Sequence, residues 1–345
     1  MRPESMKPFG NRLRLLAASL CCLLATPLLA QRTVEEFGYR SLRLAHHGDS
    51  VDFIVKSKAG EANKKKPILL LIRGSLAKPL VKYNDQGGHY PPFPFDQSIF
   101  LDEYHLVCIS KPGLPLIANT NNLNERGEFI DPNTGQLPTR YMENNFLDFF
   151  VERNSKVVEF LSSQDWVDST KIVVAGHSQG SDIAANMADK TPGVTHMIYS
   201  SGSPYFSTIL DMVRKRRKAD KRNEEARAED YFEFWKSVVD APFAPSQQEG
   251  WDSNRTVASF SKCQNTALKN AKIPILVTYG TEDTLAPFND LFRIETLRER
   301  NANITFKAYL GVEHNYFGLG SGGQIDFEKF GWDTVARDWL QWLDQ

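Results

Sequence analysis

The feature that most constrains the fold of this chain is a glycine–serine–glycine turn between a strand pattern and a helix pattern. Residues 171–175 form an apolar, β-branched run, and residues 181–188 have apolar side chains at helical spacing. The pentapeptide Gly-His-Ser-Gln-Gly lies between them, at 176–180. Glycines two residues to either side of Ser178 permit a turn so sharp that the hydroxyl stands clear of the sheet. This context predicts a nucleophilic serine, and the alternative is an ordinary strand–helix turn that contains a serine.

Further apolar runs predict that this strand belongs to a larger sheet. Strand patterns recur along the chain, at 39–46 and 51–57 as a hairpin, and then at 67–72, 104–109, 194–199, 274–279 and 304–310. Helix patterns alternate with the later strands, at 145–161, 287–299 and 327–343. Because strands that are apolar on both faces need helices above and below, the pattern predicts an α/β fold with a mainly parallel, doubly wound sheet.

Two segments interrupt this alternation. Residues 111–142 are rich in proline, glycine and asparagine, and we interpret them as an ordered excursion near the mouth of the site. Residues from about 204 to 262 read as a mostly helical insertion that covers the sheet. Within it, the basic run at 214–218 mixes with acidic residues, which is typical of a solvated helix face. The aromatic side chains at 231–235 are expected to face the site and shape its pocket.

The N-terminus has the pattern of a cleaved secretory signal. Four basic residues precede or flank an apolar stretch at 15–24, and a cleavage region ends at Ala30. The apolar stretch is shorter than the roughly 20 residues that a membrane-spanning helix needs. An uncleaved anchor is the main alternative. We therefore expect residues 1–30 to be removed, the mature protein to be periplasmic or secreted, and no stable membrane insertion after cleavage.

Charge and cysteine content limit the partners. A net charge of −1 gives no reason to expect nucleic acid. Once the signal is removed, Cys108 and Cys263 remain, and an oxidising compartment would allow them to form one disulfide. The position of Cys108 in an apolar strand pattern instead favours a buried free thiol. Two distant cysteines predict no metal site.

A serine nucleophile needs a general base within hydrogen-bond reach and an acid that orients the base. In sheets of this kind the order along the chain is serine, acid, histidine. Asp283 follows the strand pattern at 274–279 through a glycine turn; Glu282 is its competitor, and a helix cap is its alternative role. His314 is the only histidine after the acid, and it follows the last strand pattern. We predict that Ser178 is the nucleophile, His314 the base and Asp283 the acid.

The tetrahedral intermediate formed by serine attack also requires two hydrogen-bond donors. The backbone N–H of Gln179, directly after the nucleophile, is the first candidate. The second is expected from the loop after the strand pattern at 67–72, where Gly74 permits a turn. We predict the N–H of Ser75, with Leu76 as the next choice; an ordinary glycine turn is the alternative. Because such a donor acts through its backbone, the side chain does not identify it.

Three segments resemble the α/β-hydrolase superfamily. They are the elbow at 176–180, the turn Gly-Thr-Glu-Asp-Thr-Leu-Ala-Pro at 280–287 and the late segment Gly-Val-Glu-His-Asn-Tyr-Phe at 311–317. The resemblance runs from about residue 40 to the C-terminus. The chain departs from the common pattern at positions 73–74, where it has Arg-Gly and many members have His-Gly.

The resemblance implies an eight-stranded, mostly parallel sheet, with a cap after the strand that follows the elbow helix. On this basis residues 31–345 are one α/β-hydrolase domain, with the helical cap insertion at about 204–262. It also implies that Ser178, His314 and Asp283 act together as a triad. Because this fold hosts esterases, thioesterases, peptidases and lyases, the resemblance does not set the substrate.

Together these features predict a serine hydrolase that cleaves carboxylic esters through an acyl-enzyme intermediate. The expected substrate is a small-molecule ester or a short peptide, and the pattern needs no cofactor and no metal. A serine peptidase or amidase of the same fold is one alternative. A binding protein that retains the fold without turnover is the other. The sequence does not indicate the oligomeric state.

Overall fold

The structure is a computed structural model, and it describes residues 32–206, 224–245 and 252–345. Within this part of the chain, residues 33–345 form one compact unit. The predicted signal peptide at 1–30, its cleavage point after Ala30 and the basic run at 214–218 lie outside the described residues. Parts of the predicted cap, at 207–223 and 246–251, also lie outside them.

Thirteen strands are present among the described residues. Their bounds are β1 Arg40–His46, β2 Asp49–Lys56, β3 Lys66–Ile72, β4 Val81–Tyr83, β5 His89–Tyr90, β6 His105–Ile109, β7 Ile117–Asn119, β8 Val167–His177, β9 His196–Ser200, β10 Ile275–Gly280, β11 Ile304–Tyr309, β12 Phe317–Leu319 and β13 Ile325–Phe330. Eight of them form the central sheet, in the order β1-β2-β6-β3-β8-β9-β10-β11.

The central sheet is mostly parallel. Strands β6, β3, β8, β9, β10 and β11 pair in parallel, and the antiparallel hairpin β1–β2 joins them through an antiparallel pairing of β2 with β6. The prediction of a mostly parallel, eight-stranded α/β sheet is therefore confirmed. The remaining strands form two small sheets, one of β5, β4 and β7 and one of β12 and β13.

Helices cover both faces of the sheet. Those in the described residues are α1 Ser98–Leu101, α2 Thr139–Asn144, α3 Leu147–Ser162, α4 Gln179–Lys190, α5 Glu224–Asp240, α6 Asn254–Phe260, α7 Asn265–Asn270, α8 Ala286–Glu299 and α9 Trp332–Leu343, with 3₁₀ turns at Val34–Phe37 and Thr120–Asn122.

Strand β3 shows why an unbroken apolar run produces this layered fold. Ile68, Leu70 and Ile72 pack with the layer formed by α3, α4, α7 and α8. Leu69 and Leu71, which point the other way, pack with the layer that contains α1 and α9. Because neighbouring side chains of a strand point to opposite faces, a central strand with helices on both sides must be apolar at every position.

The C-terminal helix is shorter than the sequence pattern predicts. A helix was expected over 327–343, but α9 begins at Trp332. Residues Ile325–Phe330 instead form β13, which pairs antiparallel with β12. The first four of these residues alternate apolar and polar side chains, and Phe327 packs edge-on against Phe317 with ring centroids 5.2 Å apart. The two-residue period, stabilised by this cross-strand contact, favours a strand here.

The two interrupting segments are ordered where they are described. The excursion at 111–142 contains β7, which pairs in parallel with β4, and it also contains the first residues of α2. Helices α5 and α6 lie within the predicted cap at 204–262. Cys108 is buried, Cys263 is partly buried, and both are free thiols. Within the described ranges, none of the helices combines the length and the apolar character that crossing a membrane requires.

Candidate active site

The turn after β8 holds Ser178 in an unusual backbone conformation. The residue has φ 56° and ψ −130°, outside the regions that side-chain-bearing residues normally occupy. Its N–H donates to the carbonyl of Ser200 at 2.9 Å, which fixes the turn to the neighbouring strand. A Cβ at Gly176 would lie 2.2 Å from the carbonyl oxygen of Gly180, and a Cβ at Gly180 would lie 2.2 Å from that of Ile72. A side chain at either position would collide with a backbone carbonyl oxygen, so both positions require glycine.

The structure brings Ser178, His314 and Asp283 into one hydrogen-bonded chain. His314 Nε2 lies 2.9 Å from Ser178 Oγ, and His314 Nδ1 lies 2.8 Å from Asp283 Oδ2. The second carboxylate oxygen of Asp283 accepts from the N–H of Leu285 at 3.0 Å, and the side chain is buried. Glu282, the competing carboxylate, is exposed, and the partner of His314 Nδ1 is Asp283. The arrangement allows an imidazole to accept the serine proton while a carboxylate fixes the imidazole.

The loops that carry the acid and the histidine are packed directly on each other. The N–H of Glu282 donates to the carbonyl of Val312 at 3.0 Å. A Cβ at Gly280 would lie 2.2 Å from that same carbonyl oxygen, so the close approach depends on glycine. The loops follow β10 and β11, which are paired in parallel, and parallel strands end at the same edge of a sheet.

Glu313 organises the histidine loop, and sequence reasoning missed it. Its carboxylate accepts from the backbone N–H groups of Asn315 at 2.7 Å and Phe317 at 3.2 Å. The side chain is almost fully buried. A carboxylate that accepts the N–H groups two and four residues onward bends the chain around it. Only its position next to the histidine could have drawn attention to it.

The loop after β3 lies against the serine. A Cβ at Gly74 would be 3.2 Å from the Cβ of Ser178, so the glycine lets this loop approach the serine. Arg73 donates from Nη1 to the carbonyl of Pro79 at 3.0 Å and from Nη2 to that of Lys78 at 2.6 Å. The arginine therefore stabilises the loop through hydrogen bonds to two of the loop's own carbonyl groups.

Two buried donors hold the carbonyl of Ser75. Lys111 Nζ donates to it at 2.6 Å, and the Tyr141 hydroxyl donates at 2.7 Å. Burial, and then the charge of Arg73, lower the pKa of Lys111 to about 7.

The proposed oxyanion residues, Ser75 and Gln179, both line the cavity next to Ser178. Gln179 is also the first residue of α4, where backbone N–H groups have no partner within the helix.

His177 packs beside His314 without joining the hydrogen-bonded chain of Ser178, His314 and Asp283. Its ring centroid lies 5.2 Å from that of His314 and 4.9 Å from the Trp332 ring. Its nitrogens lie 3.2 Å from Ser200 Oγ and 3.3 Å from Asn315 Oδ1. Burial, with a further contribution from His314, lowers the pKa of His177 to about 3. The ring is therefore neutral at physiological pH.

A cavity of about 490 Å³ opens beside the serine. The loop at 73–76, the segment 201–203 and His314 contribute to its wall, and Phe260 and Leu285 supply apolar surface. The aromatic side chains at 231–235 were expected to shape this pocket, but none of them lines it. That expectation is wrong: Phe232 is exposed, and Tyr231 packs within the cap against Phe234.

One group of side chains away from this cavity could hold a metal ion. His46, His47 and Glu152 offer ligand atoms that all lie within 4.8 Å of one another. His47 Nε2 is 2.6 Å from Glu152 Oε1, which a simple hydrogen bond explains. It is the only such group of three among the described residues, and none of its members lines the cavity.

A family model covers the part of the chain that carries the hydrogen-bonded residues. The family described as Putative esterase matches residues 136–331, more than half of the chain. This range includes Ser178, Asp283 and His314 and leaves out the loop that contains Ser75. No curated protein matches the chain.

Solved structures of hydrolases have a similar fold. Acylaminoacyl peptidase from Pyrococcus horikoshii is 13% identical, with a TM-score of 0.51, over 89% of this chain and 40% of that one. Est1E from Butyrivibrio proteoclasticus with ferulic acid bound is 13% identical, with a TM-score of 0.53, over 88% and 99%. Porphyromonas gingivalis dipeptidyl peptidase 4 is 10% identical, with a TM-score of 0.52, over 89% and 35%.

These likenesses concern the fold alone, because the identities are low. This chain spans less than half the length of the two peptidases and almost the whole of Est1E. The family match adds a relationship in sequence over the range that contains Ser178, Asp283 and His314, which the structural likeness alone does not give. The chain therefore belongs to the Putative esterase family and is an α/β-hydrolase.

Proposed function

We propose that this protein is a serine hydrolase that cleaves carboxylic esters through an acyl-enzyme intermediate. The observation that carries the proposal is the hydrogen-bonded chain from Ser178 through His314 to Asp283, next to a cavity of about 490 Å³. The match to an esterase family supports an ester as the substrate. Est1E, whose structure is described with ferulic acid bound, supports the same choice by analogy of fold.

In the first half of the reaction, Ser178 Oγ attacks the carbonyl carbon of the ester. His314 Nε2 accepts the serine proton as the new C–O bond forms. When the tetrahedral intermediate collapses, the bond to the alcohol oxygen breaks and His314 returns the proton to that oxygen. Asp283 accepts a hydrogen bond from Nδ1, which keeps the other nitrogen free to act as base and stabilises the imidazolium.

The negative charge on the intermediate needs donors that are already in position. We assign this role to the backbone N–H groups of Gln179 and Ser75. In the second half of the reaction, His314 takes a proton from water, and the resulting hydroxide attacks the acyl carbon. The carboxylic acid leaves and Ser178 regains its proton, so the enzyme is restored.

A fluorophosphonate probe tests the nucleophile directly. We expect covalent labelling of Ser178 in the folded protein, and no labelling in Ser178→Ala. Ser181→Ala is a matched control, since Ser181 lies on the same turn and donates to the carbonyl of Ser178. An absence of labelling in folded wild type, or equal labelling of Ser178→Ala, would favour a binding protein that retains the fold without turnover.

A substrate panel separates an esterase from a peptidase. Nitrophenyl esters of short and long acyl chains would be compared with aminoacyl and prolyl nitroanilides. We expect the best ester to have the highest kcat/KM. Faster hydrolysis of an anilide than of every ester would instead make the protein a peptidase or amidase.

We also propose that the protein works outside the cytoplasm. The basic and apolar pattern of residues 1–30 supports export followed by cleavage after Ala30. N-terminal sequencing of the mature protein should then begin at Gln31. A mature product that retains residues 1–30 would contradict cleavage.

A further inference from the structure

Two histidines and a glutamate come together at the turn between β1 and β2, away from the cavity beside Ser178. His46 ends β1, His47 follows it in the turn, and Glu152 lies on α3. One side-chain ligand atom from each of the three residues lies within 4.8 Å of the others. His47 and Glu152 are 105 residues apart in the sequence, so the fold brings these groups together.

The turn places two consecutive histidine rings side by side. His46 pairs with Asp49 across the hairpin, and the two residues between them, His47 with φ 46° and Gly48 with φ 75°, occupy the left-handed region. Type I′ hairpin turns require this conformation and favour asparagine, aspartate or glycine, so the turn itself does not account for a histidine. The ring centroids of His46 and His47 lie 4.4 Å apart, although consecutive side chains of a regular strand point to opposite faces.

The three groups differ in exposure in a way that suits an ion arriving from solvent. His46 is buried, and its ring packs edge-on against Phe149 of α3 with centroids 5.7 Å apart. The side chains of His47 and Glu152 are 66% and 54% exposed. One imidazole is therefore fixed by packing, while the other two groups are open to water and can adjust.

The spacing of the ligand atoms is close to what one metal ion needs. Zinc binds imidazole nitrogen and carboxylate oxygen at about 2.0–2.2 Å, so two ligand atoms of one tetrahedral ion lie roughly 3–3.5 Å apart. His47 Nε2 lies 2.6 Å from Glu152 Oε1, and small rotations of these two exposed side chains would open that contact to the required separation. The hydrogen bond with His47 lowers the pKa of the Glu152 carboxyl, so this group is a carboxylate at neutral pH.

We propose that His46, His47 and Glu152 bind a late first-row divalent metal ion such as Zn²⁺. Two imidazoles and one carboxylate are a set that zinc takes when it has three protein ligands and water in the fourth position. Mg²⁺ and Ca²⁺ prefer oxygen ligands, so two imidazoles disfavour them. None of the three residues lines the cavity beside Ser178, so the ion joins the β1–β2 hairpin to α3 and takes no part in ester hydrolysis. This site is independent of the proposed function.

Calorimetry with Zn²⁺ on the full chain tests the site. We expect a Zn²⁺ site in wild type whose affinity falls at least about tenfold in Glu152→Gln and in His47→Asn, because loss of even an outer-shell partner of a metal costs about 10–100-fold. Glutamine can still form a hydrogen bond with His47, so this variant separates metal binding from the hydrogen bond alone. Asparagine tolerates the left-handed region, so His47→Asn removes the imidazole and keeps the turn.

Glu159→Gln and His89→Ala are the matched controls. Glu159 is exposed on the same helix and pairs with Lys156 at 2.8 Å, and His89 is an exposed histidine of β5. Both variants should keep the Zn²⁺ affinity of wild type. Ca²⁺ should show no binding that Glu152→Gln abolishes; such binding would mean that the carboxylate attracts cations without selectivity, and it would overturn the assignment.

Thermal unfolding gives a second measurement of the same site. A ligand that binds only the folded protein raises the midpoint of unfolding as its concentration increases. Zn²⁺ should therefore raise the midpoint of wild type more than that of Glu152→Gln or His47→Asn. If circular dichroism shows that one of these variants does not fold, the other decides. No Zn²⁺ binding by wild type, or an affinity that is unchanged in the folded variants, would overturn the proposal.

Discussion

Lys111 Nζ donates a hydrogen bond to the backbone carbonyl of Ser75 at 2.6 Å, from a side chain that is buried. The Tyr141 hydroxyl donates to the same carbonyl at 2.7 Å. Both donors belong to the excursion at 111–142, which the sequence pattern had indicated only as an ordered segment near the site. The excursion therefore positions the loop whose N–H groups we assign to the oxyanion.

Substitution of Lys111 by methionine should lower kcat more than it raises KM. Methionine keeps most of the side-chain volume but donates no hydrogen bond, so the carbonyl of Ser75 loses one of its two donors. Loss of an oxyanion donor outright costs about 10²–10³ in kcat, and a displaced loop should cost roughly tenfold. Steady-state kinetics on a nitrophenyl ester measure the two constants.

Lys262→Met is the control for Lys111→Met. Lys262 is exposed and pairs with Asp148 at 3.4 Å, so its loss should change neither constant. Tyr141→Phe removes the other donor to Ser75 and should lower kcat in the same way. Unchanged kcat in both Lys111→Met and Tyr141→Phe would show that these bonds do not position the loop.

The buried ammonium of Lys111 should also make stability depend on pH. Burial, followed by the charge of Arg73, lowers its pKa to about 7 in the folded protein, whereas an unfolded lysine titrates near about 10.4. Between these values the unfolded chain binds one more proton, so the free energy of unfolding rises with pH, by up to about 1.4 kcal/mol per unit. Below about pH 7 the lysine is protonated in both states, and the dependence ends.

Urea unfolding of wild type and Lys111→Met at pH 7, 8 and 9 tests this linkage. The stability of wild type relative to the variant should increase across the series, because the other titrating groups cancel in the difference. The charges of Asp252 and Glu128 oppose the lowering of the lysine pKa. A difference that stays constant with pH would mean that Lys111 remains charged in the folded protein.

The sequence predicts the central sheet well because its strands have patterns that can be recognised from the local sequence. Residues 67–72 of β3 and 172–175 of β8 are apolar at every position, and only burial between two helical layers explains that pattern. The helix prediction over β13 is wrong because only the first four residues of this strand alternate apolar and polar side chains, and they lie beside a true helix. β4, β5 and β7 were missed because strands of two or three residues show no period at all.

The candidate site divides in the same way. Ser178, Asp283 and His314 follow strands in a fixed order, so chain order alone brings them to one edge of the sheet. Lys111 lacks such a signal, because it contacts a carbonyl 36 residues away. Long-range contacts of this kind leave no pattern in the local sequence.

Gly74→Ala should lower kcat with little change in stability. The backbone of Gly74 does not require a positive φ, so alanine can adopt it. The new Cβ would lie 3.2 Å from the Cβ of Ser178 and 3.5 Å from its Oγ, so the serine or the loop must shift. A shift of a few tenths of an ångström at the nucleophile should cost roughly tenfold in kcat.

Thermal unfolding and ester kinetics measure these two effects of Gly74→Ala separately. Ser75→Ala is its matched neighbour, because the side chain of Ser75 is exposed and its proposed role belongs to the N–H. Activity close to wild type is expected there. Full activity in Gly74→Ala would show that the loop tolerates the displacement and does not hold an oxyanion donor tightly.

Glu313→Ala should weaken both the fold of the histidine loop and catalysis. The carboxylate accepts from the N–H groups of Asn315 and Phe317 through one oxygen, and alanine leaves both without that partner. Hydrogen bonds to charged groups contribute about 1.5–3 kcal/mol, so urea unfolding should show a loss of about that size. Because His314 lies inside this loop, kcat should fall as well. Glu313→Gln keeps an acceptor oxygen in place and should restore most of the stability and activity; if Glu313→Gln and Glu313→Ala behaved alike, the accepted hydrogen bonds would not be what holds the loop.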